Sequence, residues 1–101
     1  SLESTSQVCH VLELRRAGLW VETEVTLPIQ YKNRRIDNGY RIDVMVESAV
    51  VIENKAVDRL LPIHAAQLIT YLKLSDKRLG YLLNWNVRLM RRGIYRFVNG
   101  L

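Results

Sequence analysis

The sequence predicts a small α/β fold, a mixed sheet flanked by helices, on three observations. A chain of 101 residues supports one hydrophobic core and leaves little room for a second, so residues 1–101 read as a single domain. Hydrophobic residues make up 49% and charged residues 25%, which is enough apolar surface to fold and leaves no disorder-prone tract. Stretches with helical spacing alternate with β-branched runs, the pattern of helices laid on a sheet.

Taken in order, Leu2 to Ala17 carries Val8, Val11, Leu12 and Leu14 close to helical spacing, and Gly18 is placed to end that helix. The single cysteine, Cys9, reads as a small buried hydrophobe on it, and His10, with no His or Cys at metal spacing, as a solvated or packing residue. Leu19 to Ile29 is β-type sequence through Trp20, Val21, Val25 and Leu27, and Lys32 to Arg35 forms a polar turn into the next strand. Ile42 to Val46 and Val50 to Ile52 flank the polar pair Glu47-Ser48 and predict a tight antiparallel hairpin. Pro62 suits the first turn of a second helix, where its missing N–H has no partner anyway, and that helix runs to about Leu74. Tyr81 to Trp85 then reads as a buried strand and Ile94 to Val98 as a short final one.

The hairpin carries the chemistry. With the turn centred on Ser48, Asp43 faces Glu53, and directly opposed residues have Cβ atoms about 4.5 to 5.5 Å apart. Side chains alternate along a strand, so Glu53 and Lys55 share a face and Asn54 takes the other. Both acids sit in otherwise apolar strand sequence, where an unpaired carboxylate is costly without a partner or a metal. The trio suits Mg²⁺ or Mn²⁺: hard cations take oxygen ligands, commonly one or two carboxylates with water and substrate phosphate. The same spacing also arises by chance in a surface hairpin with cross-strand ion pairs. On the second helix His64, Gln67 and Tyr71 share one face, while Ala65, Leu68 and Leu72 supply an apolar one.

Asp43, then Glu53-x-Lys55, then a helix with Gln67 and Tyr71 resemble the PD-(D/E)XK nuclease superfamily. The whole chain is similar, more narrowly, to its GxxExxY family. The matching stretches include Leu2-Glu3-Ser4-Thr5, Leu14-Arg15-Arg16-Ala17-Gly18-Leu19, Tyr40-Arg41-Ile42-Asp43, Glu53-Asn54-Lys55-Ala56, Pro62 to Leu68, Leu82-Leu83-Asn84-Trp85 and Gly93 to Asn99. The resemblance implies a restriction-endonuclease-like α-β-β-β-α-β core and a metal-dependent phosphodiesterase site. It implies Asp43 and Glu53 as metal ligands, the Asn54 carbonyl as a further ligand, and Lys55 as the residue that handles the attacking water. It also implies Gln67 as the glutamine of a QxxxY-like helix and Glu3 as the acid of the family's name motif. The chain departs from that motif in two places. Its glycine would precede Ser1, so the sequence is expected to begin inside the motif, and Ser6 stands where the tyrosine is expected. Ala65 replaces an acid, and Asn33 a turn glycine, although Asn tolerates left-handed backbone.

The formal net charge is +5. Residues 1–87 carry 11 basic and 10 acidic side chains, a sum of +1, so the other +4 comes from Arg88, Arg91, Arg92 and Arg96. With Arg34, Arg35 and Arg41, the arginines at 88, 91 and 92 are candidates for nucleic-acid backbone contacts that weaken with salt. No stacking array of aromatics points to base reading. No apolar stretch approaches the roughly 20 residues of a membrane span, no leader-like segment opens the chain, and a lone cysteine suits a reducing, cytoplasmic setting. The expectation is a metal-dependent nuclease acting on DNA rather than RNA through metal-activated water. The alternative is a weakly active or inactive module of the same fold that binds nucleic acid or protein. A homodimer through strand edges or the first helix is a further expectation.

Overall fold

The computed structural model describes residues 1–100. Helix α1 covers Leu2–Arg16, followed by strands β1 (Val21–Thr26), β2 (Ile29–Tyr31), β3 (Arg34–Ile36), β4 (Arg41–Val46) and β5 (Val50–Lys55). Helix α2 (Pro62–Ser75), β6 (Leu79–Asn84) and β7 (Ile94–Val98) complete the order, with a short 3₁₀ turn at Met90–Arg92. One sheet has the order β1-β4-β5-β6-β7; β5 and β6 run parallel and the other neighbours antiparallel. The expected α-β-β-β-α-β core is thus α1, β1, β4, β5, α2 and β6, with β7 added at one edge. The stretch expected as one strand from Leu19 to Ile29 divides, and β2 and β3 form a small separate hairpin. Its turn is Lys32-Asn33, at φ 48° and 62°, both in the left-handed region that two-residue hairpin turns require.

The two faces of the sheet hold two cores. On one, Leu68, Tyr71 and Leu72 of α2 pack on Ile42, Met45, Val51 and Leu82. On the other, Val11 of α1, with Leu14 against it, packs on Val21, Val44, Val46, Ile52 and Leu83. Helix α2 approaches closely because Gly80 lies beneath it, where a Cβ would stand 3.0 Å from Leu68 and 3.1 Å from Leu72. Helix α1 makes a sparser contact than its spacing predicts: Val8 and Leu12 stay exposed, as does Cys9, which is therefore no core residue. The helix turns its polar Gln7 and Arg15 toward the sheet instead, and Arg15 donates to the Val21 carbonyl at 2.8 Å. Ser1 caps it, accepting from the Ser4 N–H at 3.2 Å.

The alternation of side chains breaks at one place. Val21 and Val44 face α1, yet Val25 and Ile42, an even number of residues away, face α2. The switch falls at Glu24 and Asp43, which stand opposite each other in the β1–β4 register and are skipped by the ladder. Glu24 takes φ 51°, unusual for a side chain other than glycine, asparagine or aspartate.

Candidate metal centre

The β4–β5 hairpin folds with the predicted register, Val46 opposite Val50 and Val44 opposite Ile52, and its ladder stops there. Asp43 and Glu53 come next. In place of ladder bonds, each carboxylate accepts from the other strand's backbone. The Asp43 N–H donates to Glu53 Oε1 at 3.0 Å, and the Asn54 N–H donates to Asp43 Oδ2 at 2.9 Å. The strands are thus joined at this point by their acids. Glu53 is buried and Asp43 half-buried.

Electrostatics follow from that burial. Desolvation, with the facing Asp43 charge behind it, pushes the Glu53 carboxyl up to about 8. Desolvation also raises Asp43, and the charges of Glu24 and Glu3 raise it further, while the Asn54 N–H and the Lys55 charge oppose the shift. Lys55 therefore acts on both acids, yet no ion pair forms. Among the described residues the one ion pair is Arg16–Glu13, at 3.7 Å on the surface. No side-chain cation among the described residues pairs with either acid, and burial favours their protonated forms.

The other candidates fall in three places. Glu3 is exposed in the first turn of α1, and its charge reaches Asp43. Gln67 donates to the Tyr71 hydroxyl at 3.0 Å, and burial together with the Glu53 charge raises that hydroxyl. These two line a cleft of about 350 Å³ with Tyr40, His64 and Thr70, the Tyr40 and Tyr71 rings lying 5.9 Å apart. His64 is engaged at the helix start, its Nδ1 accepting from the Leu61 N–H at 3.0 Å. The arginines share one end of the sheet with the acids. Arg41 begins β4 two residues before Asp43, Arg34 and Arg35 lie on the β2–β3 hairpin between β1 and β4, and Arg88, Arg91 and Arg92 occupy the segment joining β6 to β7. All six are exposed.

Three neighbours escaped the sequence reading. The Asn54 side chain, fully buried, accepts from Trp85 Nε1 at 2.9 Å and donates to Gln7 Oε1 at 3.0 Å; Gln7 Nε2 in turn donates to Glu24 Oε1 at 3.0 Å. Glu24 carried a usable signal, an acid between Val21 and Val25, the criterion that marks Asp43 and Glu53. What hid it was the β2–β3 hairpin, which separates β1 from β4 and conceals their register. His10 packs edge-on to Trp85 at 5.5 Å with its Nδ1 buried and unpartnered, and burial lowers its pKa.

A family model of the PD-(D/E)XK nuclease superfamily matches residues 1–97. The chain belongs to that superfamily. No curated protein and no solved structure matches it. PD-(D/E)XK nucleases generally use divalent metals, and this member's donors suit one: two opposed carboxylates offer hard oxygens. Among the described residues no group of three or more His, Cys, Asp or Glu side chains converges to hold an ion. Two carboxylates would therefore rely on water, backbone carbonyl or phosphate for the remaining positions, as Mg²⁺ sites commonly do. Among the described residues no helix is long and apolar enough to cross a membrane.

Proposed function

We propose that this PD-(D/E)XK protein is a metal-dependent nuclease of the GxxExxY type that hydrolyses phosphodiester bonds, of DNA in preference to RNA. The observation that carries the reading is the facing Asp43–Glu53 pair, joined through backbone N–H groups, withdrawn from water, both raised in proton affinity by burial and without an ion-paired cation. Asp43 and Glu53 would hold Mg²⁺ or Mn²⁺, with the Asn54 carbonyl as a further donor. Bound there, the ion supplies Lewis acidity toward the phosphate and makes water a better nucleophile. Lys55, on the same strand face as Glu53, orients that water and stabilises charge developing on phosphate oxygens. Gln67, fixed by Tyr71, and Glu3 border the reacting group. Arg34, Arg35, Arg41, Arg88, Arg91 and Arg92 hold the nucleic-acid backbone in register. The setting is the cytoplasm, where the lone exposed thiol of Cys9 stays reduced. A homodimer through the exposed Val8 and Leu12 of α1 belongs to the same reading, and light scattering tests it.

Labelled single-stranded and duplex DNA and RNA, incubated with Mg²⁺, Mn²⁺ or EDTA beside an Asp43→Ala control, test the activity. Cleavage that needs both metal and Asp43 is the expected result. A folded protein that binds Mn²⁺ but cleaves none of the four substrates is instead a binding module of this fold.

A further inference from the structure

The hydrogen bonds around Asn54 form a chain whose direction is fixed at both ends. An indole N–H can only donate, so Trp85 compels Asn54 Oδ1 to accept. The Asn54 amide must then donate to Gln7 Oε1, and the Gln7 amide must donate onward to Glu24. An ionised carboxylate only accepts, and so it closes the chain without reversal. The chain starts at the half-buried Trp85, passes through fully buried Asn54 and ends on the exposed Glu24. It meets the acid pair twice. The Asn54 backbone N–H bonds Asp43 Oδ2 at 2.9 Å, and Glu24 stands opposite Asp43 in the register of β1 and β4.

Three elements thereby converge through one side chain, since Gln7 of α1 holds both β5 and β1. The left-handed backbone of Glu24 costs on the order of 1–2 kcal/mol for a residue of this type, and the switch of faces at Glu24 and Asp43 is the local departure it accompanies. We infer, resting on the nuclease reading above, that Gln7 is a positioning residue and Glu24 an affinity-determining one. The relay holds the Glu24 carboxylate beside Asp43 as an outer negative charge that tightens divalent-cation binding at Asp43 and Glu53 without ligating the ion.

Mn²⁺ binding, read by electron paramagnetic resonance and calorimetry at one pH and low salt, tests this without any turnover. Glu24→Gln keeps an oxygen that can accept from Gln7 and removes only the charge. The expected result is binding weakened about five- to tenfold, the effect of one unit charge several ångströms from a divalent ion at water-like dielectric. The gap should shrink in 0.5 M salt, because the charge is exposed. Gln7→Met, which breaks both bonds at similar volume, should weaken binding in the same direction, and Glu22→Gln, two residues away on the same strand, should not. Thermal melts of the metal-free variants separate this from a loss of fold: Glu24→Gln should melt no lower than the parent. Undiminished Mn²⁺ affinity in Glu24→Gln overturns the inference. Asp43→Asn judges the nuclease reading separately: loss of Mn²⁺ there with none in Glu24→Gln leaves that reading standing alone, and a parent that binds no Mn²⁺ removes both.

Discussion

At the scale of single residues, the proposed chemistry rests on two carboxyl groups whose charged forms the fold disfavours. In the unfolded chain Glu53 titrates near its ordinary value of 4.5, and in the folded chain at about 8. The folded state therefore binds that proton more tightly. The stability it contributes is complete below about 4.5 and is lost as pH rises through about 8, with Asp43 shifted in the same direction. Melting of the metal-free protein at pH 5 and pH 8 should show the decline. Glu53→Gln should flatten it, and Mg²⁺ should restore stability at pH 8 far more than at pH 5, since the ion competes with the protons. A second expectation concerns Asn54, which has no exposed surface. Asn54→Ala leaves the Trp85 N–H and the Gln7 amide oxygen without partners, and urea unfolding should register a loss of about 1–3 kcal/mol. Asp43 and Glu53 were legible because an acid inside a β-branched run is conspicuous. Gln7 was not, because a glutamine on a helix announces nothing until its two partners are brought to it.

At the scale of elements, the hairpin was the most readable part. Two β-branched runs placed symmetrically about Ser48 leave one register that keeps both cores apolar, and the observed pairing has that register. Helix α1 was read correctly in extent and only partly in packing. Of Val8, Val11, Leu12 and Leu14, which spacing named, the helix seats Val11 and Leu14, leaves Val8 and Leu12 exposed, and also reaches the sheet through Gln7 and Arg15. The face switch at Glu24 was invisible, because strict alternation was the only rule available to a sequence. The two buried glycines make a paired test of close approach. A Cβ at Gly93 would run into the Asn84 backbone carbonyl, whereas at Gly80 it meets only the movable methyl ends of Leu68 and Leu72. Gly93→Ala should therefore cost more than Gly80→Ala, with about 1–3 kcal/mol the usual range for forced overpacking, as measured by chemical denaturation.

At the scale of the whole molecule, the net charge of +5 matters less than where the sheet sends it. Arg34, Arg35, Arg41, Arg88, Arg91 and Arg92 leave the sheet at the end that carries the acids. Replacing Arg88, Arg91 and Arg92 by Gln should weaken duplex binding at every sequence alike. It should also flatten the plot of log affinity against log salt by about 0.9 per lost phosphate contact. The topology has a further consequence, in time. Only nine residues separate Asp43 from Glu53, while 23 residues, α2 among them, lie between the paired strands β5 and β6. Closing the shorter loop costs less entropy, so the acids meet early on the folding route, before the parallel centre of the sheet has formed. Their repulsion then belongs to the folding barrier, and a divalent cation should act as a midwife to this chain: it should quicken refolding rather than merely slow unfolding.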